Sequence, residues 1–226
     1  MSKKLSELIY EEGNAWTMFE TWFDKAENQV EVLPNTKADG EETLLQLQIT
    51  NRSTMGAIAL ECGGLLVNHG WLRILGSGNE RISGNLLSWN NISEIKIEYS
   101  IKNALIIAYD IVGGVYAING GAFGQSFKNV FYFAPDTLEW EDTEKGYTDF
   151  INWALNGDIN LYYKSFRWTG WEEDVRKLIG EYGISIFPYL WTKEGKNVNK
   201  CHREAIPMKE IWGIEQEFIK QMIKKD

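Results

Sequence analysis

Three short apolar runs in the middle of the chain restrict its fold more than any other feature of the sequence. They cover Ala104–Tyr109, Val115–Ile118 and Val130–Phe133, and glycine-containing segments separate them. Each run has the length and composition of a β-strand. Parallel strands need a crossover connection of about a dozen residues or more, and these intervals leave no room for a crossover helix. The sequence therefore predicts neighbouring strands that pair mostly antiparallel.

Apolar residues at helical spacing flank this region on both sides. The pattern predicts helices over Ala15–Ala26, Tyr147–Leu155 and Met208–Ile223. Between the first two helices, the polar segment 35–42 indicates a loop, and the alternation over Leu45–Ile49 indicates a strand. Helices before and after a mostly antiparallel central sheet make an α+β fold.

Length and composition agree with a single domain over residues 1–226. Of the 226 residues, 44% are hydrophobic and 24% are charged, which is ordinary for a folded protein. The formal net charge of −9 argues against a nucleic acid or an anionic membrane as a partner, since both require a concentrated positive patch. No apolar segment resembles a signal peptide or a membrane span. We therefore expect a cytoplasmic protein in which Cys62 and Cys201 are reduced thiols.

The residues that usually mark a catalytic or metal site are sparse. The two histidines, His69 and His202, do not belong to a recognisable nucleophilic triad. Together with Cys62 and Cys201 they could supply four zinc ligands, but the adjacent positions of Cys201 and His202 make a tetrahedral site geometrically awkward. The glycine-rich segment 119–124 lies between predicted strands and is typical of a hairpin loop rather than a phosphate loop. We expect no catalytic residue, no metal ion and no cofactor in a protein that is not an enzyme.

An acidic segment after the third strand offers the main alternative. Glu139 and Glu141 alternate with Trp140, so a strand here would place both carboxylates on one face and the indole on the other. Paired carboxylates in different environments carry out acid–base chemistry, and tryptophan beside carboxylates can hold a sugar. The competing interpretation is that these acidic side chains crowd a solvated strand edge.

The order of elements from Ile107 to Leu155 resembles a known superfamily. A strand, a glycine pair, a second strand, a glycine-containing turn, a third strand (NVFYF), an acidic stretch and a helix (YTDFINWAL) follow one another. This order is similar to the central sheet and following helix of the SUKH superfamily. That superfamily includes yeast cell-wall-synthesis regulators, the bacterial Syd protein and many immunity proteins of bacterial toxin systems. The resemblance implies a SUKH-like core over residues 44–166 and a C-terminal extension of helices and strand over 167–226.

Three segments resemble a more specific family. They are residues 63–67 (GGLLV), 70–78 (GWLRILGSG) and 129–140 (NVFYFAPDTLEW). These segments are similar to an uncharacterised bacterial family that is catalogued as domain of unknown function 2625. The resemblance extends from near residue 1 to about Ile214. Neither family implies catalytic residues for this chain.

The SUKH resemblance implies a domain whose sheet face or groove binds a protein, often a toxin. The negative charge fits that role, because acidic side chains can mask the cationic substrate site of a nuclease toxin. We therefore predict a non-enzymatic, protein-binding domain of immunity or regulatory type that occludes a site on a basic toxin or nuclease. The alternative is a small-molecule or carbohydrate-binding protein that uses the carboxylates near Trp140. A third hypothesis is a structural subunit whose aromatic residues are buried in a homo-oligomer.

Residue types that dominate protein interfaces suggest where such a partner binds. Tryptophan, tyrosine and arginine carry a disproportionate share of interface energy. The predicted binding surface consists of Trp71, Arg73, Asp110, Tyr116, Asn119 and Trp140. For each aromatic residue of this set, packing in the core is the competing interpretation.

Overall fold

A computed structural model describes residues 2–92 and 100–224. Within this part of the chain, seven strands form one sheet in which neighbouring strands are consecutive in the chain and antiparallel. The strands are β1 (Val30–Leu33), β2 (Gly64–Val67), β3 (Leu72–Leu75), β4 (Ala104–Asp110), β5 (Val115–Asn119), β6 (Val130–Ala134) and β7 (Glu139–Lys145). The predicted α+β class with a mostly antiparallel central sheet is confirmed.

Helices and a second, two-stranded sheet accompany the large sheet. The helices of the described residues are α1 (Trp16–Asp24), α2 (Lys37–Leu47), α3 (Thr54–Glu61), α4 (Leu86–Trp89), α5 (Tyr147–Asn156), α6 (Ile159–Tyr162), α7 (Trp171–Arg176) and α8 (Met208–Ile223). Strands β8 (Tyr182–Phe187) and β9 (His202–Pro207) pair antiparallel. No helix in these ranges combines the length and the apolar character that a membrane crossing requires. One cluster of buried apolar side chains extends from Phe19 to Trp212.

The central strands and the major helices lie where the sequence predicts them. Strands β4, β5 and β6 coincide with the three apolar runs, and α1, α5 and α8 coincide with the three predicted helices. The turn between β4 and β5 contains Gly113 at φ 115°, a conformation that residues with a side chain rarely adopt. Glycine is therefore required for the tight connection between these two strands.

The segment before α3 differs from the prediction. Helix α2 occupies Lys37–Leu47, where the sequence indicated a loop over 35–42 and a strand over Leu45–Ile49. The hydroxyl of Thr36 accepts a hydrogen bond (3.1 Å) from an amide of the first helical turn and so caps the helix. The prediction is wrong because the leucines follow helical spacing, with Leu44 fully buried in the core.

Side chains alternate between the two faces of the large sheet, and different helices cover each face. Tyr132 of β6 points to one face, which α5 covers through Phe150. Phe133, the next residue, points to the other face, where its ring lies 5.1 Å from that of Trp212 on α8. We call these the α5 face and the α8 face.

Candidate functional site

A cleft on the α5 face is lined by five aromatic rings. Strands β5 and β6 supply Tyr116 and Tyr132, helix α5 supplies Phe150 and Trp153, and α6 supplies Tyr162. The cleft has a volume of about 180 Å³. Strand β7 completes the lining with Glu141, Asp142, Thr143 and Lys145. We call this feature the tyrosine cleft.

The local sequence pattern explains why these rings meet. Tyr116, Tyr132 and Glu141 are opposite one another on three adjacent strands, so their side chains share one face of the sheet. The rings of Tyr116 and Tyr132 lie 4.6 Å apart. Trp153 follows Phe150 by three residues on α5, a spacing that places both on one side of the helix. The aromatic lining therefore continues from the sheet onto the helix.

Two residues before α6 hold Tyr162 beside the cleft. Asp158 caps α6, because its Oδ1 accepts a hydrogen bond from the Leu161 amide at 2.8 Å. A Cβ atom at Gly157 would overlap the indole of Trp153, so glycine allows the chain to pass close to that ring. Tyr162 then packs edge to face on Trp153, with 4.9 Å between ring centroids. Leu161 and Tyr162 are 66% and 41% exposed, so an apolar edge that faces solvent adjoins the cleft.

A buried carboxylate lies behind the floor of the cleft. Tyr132 Oη donates a hydrogen bond to Asp110 Oδ2 at 2.8 Å, and the amides of Val112 and Gly114 donate to Oδ1 at 3.0 and 2.9 Å. Burial raises the pKa of Asp110 from an ordinary 3.8 to about 6, and these three hydrogen bonds limit the rise. Asp110 therefore holds a cleft tyrosine in place while it caps the turn between β4 and β5.

The mouth of the cleft is acidic. Partial burial raises the pKa of Glu141, and the charges of Asp136 and Glu139 raise it further. The Glu141 carboxylate forms no ion pair and no hydrogen bond within the described residues. Lys145 also belongs to the lining, and its Nζ donates to the carbonyl oxygen of Thr143 at 3.0 Å. Glu141 is thus an available anion beside a wall of aromatic rings.

Most of the predicted binding surface lies inside the molecule. Five of its six residues are at most 3% exposed, and the sixth, Trp140, is half-buried. The five are Trp71, Arg73, Asp110, Tyr116 and Asn119. They lie on or beside the inner strands β3, β4 and β5 of the sheet. These side chains therefore do not form an exposed surface, and a binding role for them stays a prediction.

Asn119 and Trp140 have structural partners. Asn119 Oδ1 accepts hydrogen bonds from the amides of Gly121 and Phe123 at 2.8 and 3.1 Å, and these bonds shape the loop after β5. Trp140 stacks on Phe123 with 4.3 Å between ring centroids. As the alternation predicts, Trp140 points away from the face that carries Glu141. Trp140 therefore does not line the tyrosine cleft.

Trp71 and Arg73 lie away from the cleft. The ring of Trp71 packs edge to face on Trp171 at 5.2 Å between centroids, and the Arg167 guanidinium lies 4.8 Å from it. Arg73 lines a separate polar cavity. Of the six predicted residues, the structure brings together only Asp110 and Tyr116 at the tyrosine cleft.

Sequence reasoning missed four of the five rings that form the cleft, namely Tyr132, Phe150, Trp153 and Tyr162. Tyr132 alternates with two phenylalanines in NVFYF, and this alternation places it on the face of Glu141. Phe150 and Trp153 have helical spacing on the apolar side of α5. Packing that side against the sheet face that carries Tyr132 would have placed both α5 rings at the cleft. Tyr162 gives no such signal, because its position depends on how α6 folds back onto α5.

Comparison with known sequences identifies the family. A model of the family described as protein of unknown function DUF2625 matches residues 5–211. The chain belongs to this family. The uncharacterised protein YbfG of Escherichia coli (strain K12) is 38% identical over 216 residues, which are 96% of this chain and 97% of YbfG. An uncharacterised protein of Haemophilus influenzae (strain KW20) is 35% identical over 186 residues, or 82% of each chain.

The specific resemblance predicted from the three segments is thus confirmed as membership of DUF2625. No solved structure matches the chain. The wider resemblance to the SUKH superfamily stays a prediction.

Proposed function

We propose that this DUF2625 protein is a cytoplasmic, non-enzymatic binding protein that takes a cationic side chain of a basic partner protein into the tyrosine cleft. The observation that carries the proposal is the unpaired Glu141 carboxylate at the mouth of a cleft lined by five aromatic rings. Aromatic rings attract a lysine or arginine head group through their π-electrons, and a nearby carboxylate adds charge attraction. This pairing of groups recognises a cation better than it recognises a neutral or anionic group.

The charges around the cleft support a cationic occupant. Partial burial is the largest cause of the raised pKa of Glu141, and repulsion from the nearby carboxylates of Asp136 and Glu139 raises it further. An incoming cation would relieve that repulsion. Lys145 opposes this effect with one positive charge, which is held at the carbonyl of Thr143. The net charge of −9 would also steer a basic partner toward the molecule.

The surroundings of the cleft favour a protein over a free amine. Leu161 and Tyr162 present an exposed apolar edge next to the cleft, and tyrosine is common at the centre of protein interfaces. An inserted lysine or arginine could therefore be flanked by apolar contacts from the same partner. The predicted relationship to SUKH proteins, which include immunity proteins, agrees with a partner of toxin type whose own site would be occluded.

A peptide titration tests the cleft directly. The probes are a short peptide with one central lysine, the same peptide with trimethyllysine, and the same peptide with glutamine, measured by calorimetry and by tryptophan fluorescence. Both cationic peptides should bind more tightly than the glutamine peptide. Glu141→Gln should weaken lysine-peptide binding by about tenfold or more, since a hydrogen bond to a charged group contributes about 1.5–3 kcal/mol.

A matched substitution on the same strand provides the control. Glu139 shares the face of Glu141 but does not line the cleft, so Glu139→Gln should change the affinity much less. Equal binding of the lysine and glutamine peptides would refute the proposal. Equal losses in the two variants would show that general surface charge, and not the cleft, attracts the peptide.

A neutral carbohydrate is the second candidate ligand, because sugar rings also stack on tryptophan and tyrosine. Its aromatic partners would be Trp153 and Tyr162, and not Trp140, which lies on the opposite face. A panel of mono- and oligosaccharides, read by the shift in melting temperature, separates the two candidates. A sugar that stabilises the wild type and fails to stabilise Trp153→Ala, while the lysine peptide does not bind, would replace the first candidate.

A further inference from the structure

We propose a second ligand site, for a phosphate group, in the polar cavity that contains Arg73. This inference is independent of the proposed function. The cavity has a volume of about 210 Å³ and lies between the β2–β3 hairpin, the end of α7 and the segment before β8. Its charged and polar lining consists of Gln29, Glu31, His69, Arg73, Arg81 and Arg176. We call it the arginine cavity.

The main support is the burial of Arg73 without a counter-ion. The residue is 3% exposed. Its Nε donates to the Gly70 carbonyl at 3.2 Å and its Nη1 donates to the Gly180 carbonyl. Within the described residues it forms no ion pair with a carboxylate. A buried charge is unfavourable unless it is paired, so an anion in the cavity would supply the missing partner.

The neighbouring charges point to the same sign of ligand. Three guanidinium groups line the cavity, against the single carboxylate of Glu31. Arg81 is paired with Glu31, with 3.0 Å between Nη2 and Oε2. Arg176 is largely exposed, and its Nη2 lies 3.4 Å from Oε2 of Glu172, a residue outside the lining, and 3.4 Å from Nδ1 of His69. The lining is therefore net positive in a chain whose total charge is −9.

The chemistry of the donors favours phosphate among the anions. Guanidinium groups present paired N–H donors that match the oxygens of phosphate and carboxylate. Several guanidinium groups around one cavity suit a dianion better than a monoanion. The acidic surface elsewhere disfavours a nucleic-acid strand, which needs a continuous positive track. The expected ligand is therefore inorganic phosphate or the phosphate of a small monoester.

Calorimetry with inorganic phosphate, phenyl phosphate, sulfate and acetate at matched ionic strength tests the site. Phosphate or its monoester should bind and raise the melting temperature more than acetate does. Arg73→Met should abolish binding, but it also disturbs a buried residue. Arg176→Gln changes a side chain that is 56% exposed, so this variant should keep the fold. It should weaken phosphate binding by about tenfold or more.

Lys177→Gln is the matched control. Lys177 follows Arg176, is 67% exposed, pairs with Glu173 and does not line the cavity. Phosphate affinity should be unchanged in this variant and in Glu141→Gln, which alters the tyrosine cleft alone. Failure of phosphate and its monoester to bind would overturn the proposal. Tighter binding of acetate would overturn the choice of phosphate, and equal losses in Arg176→Gln and Lys177→Gln would overturn the location.

Discussion

The tyrosine cleft and the arginine cavity adjoin buried charges of opposite sign, and the two charged residues, Asp110 and Arg73, lie on the neighbouring strands β4 and β3. Between β3 and β4, Arg73 is opposite Tyr109, and Leu72 is opposite Asp110. Because successive side chains point to opposite faces, Asp110 reaches the α5 face and Arg73 the other face. Asp110 directly follows Tyr109, the residue opposite Arg73, so the buried acid and the buried cation lie on opposite faces of the sheet.

The comparison shows two ways in which one sheet accommodates a buried charge. Asp110 receives three hydrogen bonds, and its raised pKa lets it become neutral near pH 6. The described partners of Arg73 are the carbonyl oxygens of Gly70 and Gly180 and the ring of Tyr109, whose centroid lies 6.0 Å from the guanidinium carbon, and no carboxylate is among them. The protein itself supplies the hydrogen bonds of the acid, whereas an anionic ligand could supply the missing counter-ion of the cation. Substitutions in each region would show how far the two depend on one another.

The largest expected effect comes from removing the ring that supports the cleft. Phe150→Ala should lower the free energy of unfolding by about 3–5 kcal/mol, because the ring is fully buried and leaves a void beside Tyr116. Urea denaturation followed by circular dichroism measures the loss. The exposed Leu161→Ala is the control and should stay within about 0.5 kcal/mol of the wild type.

The same variant tests the separation of the two regions. Under conditions in which Phe150→Ala is folded, its phosphate affinity should equal that of the wild type. A phosphate affinity that falls together with the cleft would show that one packed unit supports both ligand sites.

The next largest effect concerns pH. Because the pKa of Asp110 is about 6 in the folded protein and near 3.8 when unfolded, its stabilising contribution is complete below pH 4 and is lost as the pH rises through 6. The loss amounts to about 3 kcal/mol. Asp110→Asn should remove this part of the pH dependence when the free energy of unfolding is measured between pH 4 and 8. An unchanged slope in the variant would mean that Asp110 is not the buried acid responsible.

Much of the large sheet was predictable, because its signals are local. The runs that became β4, β5 and β6 are apolar on both faces, and short glycine turns leave antiparallel pairing as the remaining arrangement. Helix α2 was not predicted, since its sequence KADGEETLLQL contains a glycine and few apolar residues. There, the Thr36 cap and contacts with α3 outweigh weak helix propensity.

The candidate site was predictable in part. The alternation in β7 correctly separates Glu141 from Trp140, and Asp110, a member of the predicted binding set, lies behind the floor of the cleft. The ranking of binding residues by type failed to separate surface from core, because tryptophan, tyrosine and arginine serve both environments. The arginine cavity depends on the contact of Arg73 with Gly180, more than 100 residues away. No local pattern encodes such a contact.

A moderate effect is expected from the hydroxyl that joins the cleft to Asp110. Tyr132→Phe removes a donor from a buried carboxylate, which should cost about 1–3 kcal/mol above pH 7, where Asp110 is charged. The pKa of Asp110 should rise further, so the cost should shrink below pH 5. Chemical denaturation at both pH values measures the difference. A cost that does not vary with pH would assign the effect to packing instead of to the hydrogen bond.

The smallest effect on stability should come from the rim of the arginine cavity. Glu31 and Arg81 form an exposed ion pair, so Glu31→Gln should change the free energy of unfolding by less than about 1 kcal/mol. The substitution also removes the carboxylate from the lining, and phosphate affinity should rise about fivefold, the factor for about 1 kcal/mol. Glu173→Gln, which breaks an exposed pair outside the cavity, should leave the phosphate affinity unchanged. If both variants tighten phosphate binding equally, then overall charge controls the affinity. If Glu31→Gln alone tightens it, the local charge of the cavity controls the affinity. The arginine cavity would then be a positive site in an acidic protein, in contrast to the tyrosine cleft.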